Sequence, residues 1–204
     1  MSKRLPTRGN HLRAAIAQEA ARLMAEHGIQ DYGVAKRKAA KRYGVHDGQF
    51  LPHNVEIEAA LTSYQRMFGG QQHAENLRLL RAAAIKAMRL LAPFEPRLVG
   101  PVLIGTATAY SEVQLHVFSE PAEAVSIGLM DRSVPHELID MRLRVAGSEQ
   151  VTLPGLKFEI DNALIEVTVF TLDGLRLAPL SPADGRPMKR ANLDRTLALP
   201  QPTP

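Results

Sequence analysis

Apolar and polar residues recur along this chain with two different periods, and the change falls near residue 95. Before it the spacing is helical. Leu12, Ile16, Ala20 and Leu23 follow one another at three- and four-residue steps, which predicts a helix capped by Asn10 and ended after His27 by Gly28. Asp31 is placed to cap a shorter helix to about Tyr43, stopped by Gly44, with Ala35, Ala39 and Tyr43 turned inward. A loop with Gly44, Gly48 and Pro52 follows, then Asn54 as the expected cap of a third helix to about Phe68. Gly69-Gly70 breaks that helix. A fourth, from about Gln72 to Leu91, carries the narrow stripe Leu77, Leu80, Ala84, Met88 and Leu91, which should lie on a core.

Pro93 and Pro96 close the helical part, and β-type patterns begin. Strands are expected near 99–104 and 112–118, and a short helix from Pro121 to about Arg132. A longer strand near 136–146 puts Leu138, Asp140, Arg142, Arg144 and Ala146 on one side and Ile139, Met141, Leu143 and Val145 on the other. A short strand at 156–160, a turn at Asp161-Asn162, a strand over 164–170 and a turn at Asp173-Gly174 complete the pattern. The fold class is therefore α+β: a basic helical region over 1–70, a small mixed β-sheet domain over 71–178, and a Pro-rich tail over 179–204 expected to wrap the surface and end disordered.

Composition adds bounds to this picture. The 204 residues are 45% hydrophobic and 23% charged, enough apolar material for a real core. Without cysteine there is no disulfide, thiolate metal site or cysteine nucleophile. No apolar run approaches the roughly 20 residues of a membrane span, and Met-Ser-Lys-Arg-Leu-Pro lacks a signal peptide's hydrophobic segment, so the expected location is cytoplasmic. Charge is uneven. Residues 1–45 hold ten Lys/Arg against Glu19, Glu26 and Asp31, a net of +7, which leaves −3 for residues 46–204 out of the chain's +4. Lys36, Arg37, Lys38, Lys41 and Arg42 fall within seven positions of the second helix and are the candidate nucleic-acid contacts. Two helices joined by a Gly-containing turn, the second basic, suggest a helix-turn-helix, although a nearly all-cationic second helix suits phosphates better than base edges. Arg78, Arg81, Lys86 and Arg89 form a second cationic face on the fourth helix.

Several chemistries are disfavoured. The seven histidines lack the spacing of a helical metal site, Gly147-Ser148 lacks the flanks of a nucleophile elbow, and no Walker A loop occurs. His116 shares a strand face with Glu112 and Gln114, an unusual grouping. Asp184-Gly185-Arg186-Pro187-Met188-Lys189-Arg190 forms a basic turn near the end.

The order helix, strand ending Gly-Thr, strand with an acidic residue, helix, then further strands resembles the DNA polymerase β-like nucleotidyltransferase superfamily, especially its small bacterial members. In that family a strand ends in Gly-Ser, a following strand carries two acidic residues one apart, and a later strand carries a third carboxylate. The Gly lets backbone approach a triphosphate, the hydroxyl bonds a phosphate oxygen, and alternate carboxylates on a strand face the same way to hold Mg²⁺. Carried over, Gly105 and Thr106 match the Gly-Ser pair, and Ser111-Glu112-Val113-Gln114-Leu115 matches the stretch that reads Ser-Asp-hydrophobic-Asp-hydrophobic. Glu166 is the candidate third carboxylate, with Asp161 a poorer one. Glu112 is one carbon longer than the family's Asp, Gln114 replaces its second carboxylate, and the segment from Thr106 to Glu112 is short.

The resemblance implies a nucleoside triphosphate as ligand, held by Gly105, Thr106, Ser111 and Gln114. Glu112 and Glu166 would be the catalytic residues and the Mg²⁺ ligands for moving a nucleoside monophosphate to a hydroxyl acceptor. The alternative is an inactive relative that binds RNA or DNA, or acts as an adaptor, through its basic front.

Overall fold

The computed structural model describes residues 8–45, 48, 50–145 and 150–202. Of the disordered basic tail expected over residues 1–9, residues 1–7 lie outside them, as do His46, Ala146 and Gly147-Ser148, while Arg8 and Gly9 already belong to the first helix.

Arg8–His27 (α1), Tyr32–Arg42 (α2) and Asn54–Tyr64 (α3) pack around a small core of their own. Ile16, Ala20, Met24, Ala35, Ala39, Ile57 and Leu61 fill it, and its many alanines let the helices approach closely. Asp31 caps α2 as expected, its carboxylate accepting from the Val34 amide at 2.6 Å. Asn10 and Asn54 do not cap. The first helix already begins at Arg8, and His53 precedes the third, where the Glu56 carboxylate accepts the His53 amide at 2.6 Å. Asn54 instead donates to the Pro182 carbonyl, tying α3 to the C-terminal segment. Tyr43 is not inward. It follows the last turn of α2 and is exposed, while Ala40 takes the buried position.

A π-helical segment, Gln65–Gly69, joins α3 to the long helix Gly70–Leu90 (α4). Gly70 at φ +43 makes the expected break. One face of α4, with Leu77, Leu80, Ala84 and Met88, lies on a five-stranded sheet. The strands are Arg97–Val99 (β1), Val113–Phe118 (β2), Glu137–Leu143 (β3), Val151–Ile160 (β4) and Ala163–Phe170 (β5), in the order β1-β2-β5-β4-β3. Only β2 and β5 pair in parallel. Helix α6 (Glu123–Met130) crosses between β2 and β3 and adds Val125 and Leu129 to the core under α4.

Two strand boundaries differ from expectation for identifiable reasons. The strand expected over 99–104 stops at Val99, because Gly100 adopts φ +68 and Pro101 pre-sets a helical φ with no amide to donate. Gly100–Ile104 then winds a single helical turn (α5), closed where the left-handed Gly105 donates its amide to the Pro101 carbonyl at 2.8 Å. Strand β4 starts at Val151 rather than 156, since β3 pairs with it from Val151 to Lys157. Asp161-Asn162 forms the two-residue hairpin turn with both φ values positive.

The other sheet face is polar in its middle, bearing Gln114, His116, Lys157, Glu166 and Thr168. The C-terminal segment crosses it as a strap. Leu180 donates to the Arg144 carbonyl beyond β3, and Ala191 exchanges both backbone hydrogen bonds with Leu98 on β1. The strap therefore goes beyond wrapping the surface. Ala191 is buried, and a short helix Leu193–Leu197 (α7) sits against α4.

Candidate functional site

The site lies where the helical unit, α5 and the polar sheet face meet. Thr106, Ser111, Glu112 and Gln114 line one cavity of about 190 Å³, whose opposite wall is Met24, Tyr32, Glu58 and Leu61 from the first three helices. Gln114 also borders a cleft of about 620 Å³ over the sheet, with His116, Glu166 and Thr168 below and the strap above. Glu112, Gln114 and Glu166 thus converge beside Thr106 and Ser111, while Gly105 lines neither cavity. What they touch differs from expectation.

Glu112 and Glu166 meet at an ammonium group. Lys157 Nζ lies 3.1 and 3.0 Å from the two Glu112 oxygens and 3.2 Å from Glu166 Oε2. The cause is register: the two-residue turn after Ile160 sets Lys157 directly opposite Glu166, and the parallel pairing of β2 with β5 sets Gln114, two residues after Glu112, opposite Glu166 on its other side. All three side chains of the triad are mostly buried. Burial, then the adjacent Glu112 charge and its hydrogen bond, raise the Glu166 pKa, and Lys157 only partly offsets this. Burial pulls the Lys157 ammonium downward, but the two carboxylates outweigh it and the net shift is upward. The two carboxyl groups thus share one lysine, and Glu166 holds its proton to higher pH than a free carboxyl does.

Mg²⁺ does not fit this arrangement. It requires about six oxygen ligands in near-octahedral geometry, and the two carboxylates already ligate a cation supplied by the chain. Gln114, at the second acidic position, is packed over Gly100, where a methyl group would collide with its side-chain oxygen. Asp161, in the hairpin turn, binds Lys86 at 2.6 Å instead. Among the described residues no group of three or more His, Asp or Glu is arranged to hold a metal.

The expected phosphate cradle is also taken up internally. The amides of Gly105 and Thr106 both donate to the Pro101 carbonyl, at 2.8 and 3.0 Å. Thr106 is buried, and its carbonyl accepts from Gln65 Nε2 at 2.8 Å. Ser111 Oγ accepts the Thr108 amide at 2.9 Å, a turn-forming bond. The glycine that actually ends a strand is Gly100, and the residue after it is Pro101, which carries neither hydroxyl nor amide hydrogen.

His116 is a hydrogen-bonded strand histidine, the reading its place on the strand favours over an open Glu-Gln-His surface. It is 3% exposed, and its Nδ1 accepts from Arg190 Nε at 3.0 Å. Arg190, at the end of the basic turn, also donates to the Gly174 carbonyl and lies over the Phe118 and Phe170 rings at 5.1 and 5.0 Å. Burial, and secondarily Arg190, push His116 down to about 3, and burial pushes Arg190 down to about 10.

Of the five basic residues on α2, Arg37, Lys38, Lys41 and Arg42 are exposed. Lys36 turns back to the Pro52 carbonyl at 2.8 Å and Arg42 binds Glu19 at 2.9 Å. Three of the four cations of α4 pair within the chain: Arg78 with Glu75 and Lys86 with Asp161 on the surface, and Arg81 with the Pro200 and Val102 carbonyls, while Arg89 is exposed. Lys157, Pro101 and Arg190 are the site residues that sequence reasoning missed. No family model matches the chain, and no curated protein matches it. Among the described residues no helix is long and apolar enough to cross a membrane.

Proposed function

We propose that this chain is a nucleotidyltransferase-like protein whose catalytic centre is closed by its own lysine, and that it works by binding nucleic acid through the exposed cations of α2. The observation that carries this reading is the Lys157 ammonium bonded to both Glu112 and Glu166. In an active centre of this type the carboxylates must be free to ligate Mg²⁺, which then neutralises the triphosphate. Here one internal positive charge fills that place, and a single ammonium on a strand cannot bridge phosphate oxygens while bonded to two carboxylates. Pro101 after the strand-ending glycine supports the same conclusion for the phosphate side.

With the centre closed, the outward chemistry is that of the front. Arg37, Lys38 and Lys41 project from one short helix without a protein partner among the described residues, on a region whose net charge of +7 exceeds the +4 of the whole chain. Such a surface attracts phosphates by releasing counterions, without reading sequence. The test is fluorescence anisotropy with labelled oligonucleotides at increasing salt. Affinity should fall linearly on a log–log plot with a slope of about −0.7 per contacted phosphate on single strands, and Lys38→Glu with Lys41→Glu should abolish most of it. Salt-independent binding, or Mg²⁺-dependent label transfer from an NTP that Glu112→Gln removes, would overturn the reading.

A further inference from the structure

We infer that the groove between α1, α3 and the end of α2 takes unpaired bases, making the nucleic acid bound by this chain single-stranded. This rests on the nucleic-acid reading above and specifies its ligand. The groove has a volume of about 600 Å³ and is lined by Arg22, Tyr43, Tyr64, Met67 and Phe68. Phe68 is 70% and Met67 68% exposed, although both extend a helix whose other face is buried. Their exposure follows from the π-helical segment. Its wider turn sends Gln65 inward to the carbonyls of Thr106 and Ala107 and leaves Met67 and Phe68 facing solvent.

Exposed aromatic rings beside cations form a stacking platform. Phe68 packs against the half-buried Tyr64, their ring centroids 4.9 Å apart, and Tyr43, 45% exposed, lines the same groove. Exposed cations adjoin the lining residues in sequence: Lys41 lies two residues before Tyr43, and Arg66 one before Met67. The carboxylate that lines the groove is already neutralised, since Glu19 binds Arg22 and Arg42, and Glu26 outside it binds Arg22 and the Tyr64 hydroxyl. Bases of any identity can stack on such rings while their phosphates track the cations, and paired bases inside a duplex cannot reach them. A protein helix would also cover apolar rings, but it would leave the flanking cations of α2 and Arg66 without counter-charges. A single strand satisfies both features.

The test compares oligo(dT) and oligo(U) of about 12 nucleotides with a duplex of equal length, using the wild type and Phe68→Ala, Tyr43→Ala and the Lys38→Glu/Lys41→Glu pair. Phe68 makes its contacts on the surface, so its loss should leave the melting temperature unchanged. Phe68→Ala should weaken single-strand binding roughly tenfold and leave duplex binding unaltered. Tyr43→Ala should act in the same direction, and the paired charge reversal should weaken both ligands. The dT and U arms decide whether the strand is DNA or RNA. If Phe68→Ala leaves single-strand affinity unchanged while the charge reversal lowers it, the stacking site is wrong and the nucleic-acid reading stands. If no oligonucleotide binds, both fall.

Discussion

At the scale of single residues, His116 makes the sharpest statement. Its Nδ1 must keep a lone pair to accept from Arg190, so the ring is neutral in the fold, and a proton there would face a guanidinium at 3.0 Å. The folded pKa is about 3, against about 6.5 for an unfolded histidine. Below pH 6.5 the unfolded chain takes up a proton that the folded chain refuses, so stability falls as pH drops toward 3 and the loss is complete only below that. The expected loss between pH 7 and pH 4 is roughly 2–3 kcal/mol from this residue alone. Thermal melts of the wild type and His116→Gln across that range isolate it. The glutamine carbonyl can accept from Arg190 without titrating, so the variant should lose less stability on acidification. Equal acid sensitivity in the two proteins would show that His116 does not titrate with folding.

At the scale of elements, the joint between β1 and α5 decides the shape of the site. Gly100 combines φ +68 with a position where any side chain would meet Gln114. Gly100→Ala should cost at least about 1–3 kcal/mol from backbone strain alone, measured by urea unfolding. An unchanged midpoint would mean that the turn is not held as described. This joint also shows what the sequence could reveal. The helical stripe of α4, the cap at Asp31, the hairpin turn at Asp161-Asn162 and the strands at 113–118 and 163–170 were legible, because each depends on local periodicity or local turn chemistry. Leu98-Val99-Gly100-Pro101-Val102-Leu103-Ile104 was misread because its apolar run suits a strand or a short helix equally. The Gly-Pro pair inside it was the breaking signal. Lys157 was within reach: a two-residue turn at 161–162 pairs 157 with 166 by counting alone. Its contact with Glu112 was not, since that needs the parallel pairing of β2 beside β5, a non-local event. Arg190 inserting beside His116, 74 residues away in sequence, was out of reach for the same reason.

At the scale of the whole molecule, the charges divide into two populations. Lys157 behind the sheet and Arg78, Arg81 and Lys86 on α4 are paired with carboxylates or backbone carbonyls, and Arg37, Lys38 and Lys41 on α2 face solvent. Under the proposed function, that division separates a closed centre from an open binding surface, with Lys157 as the residue on which it turns. Removing its ammonium leaves Glu112 and Glu166 converging with nothing between them, an uncompensated pair of buried carboxyls. Titration of Mn²⁺, followed by electron paramagnetic resonance of the free ion, tests this directly. The wild type should show no Mn²⁺ site that depends on Glu112. Lys157→Ala should gain one, at least roughly tenfold tighter than any wild-type binding, and Glu112→Gln in that background should remove it. Mn²⁺ binding by the wild type that disappears in Glu112→Gln would contradict the account, because the lysine would then not be holding the cation's place.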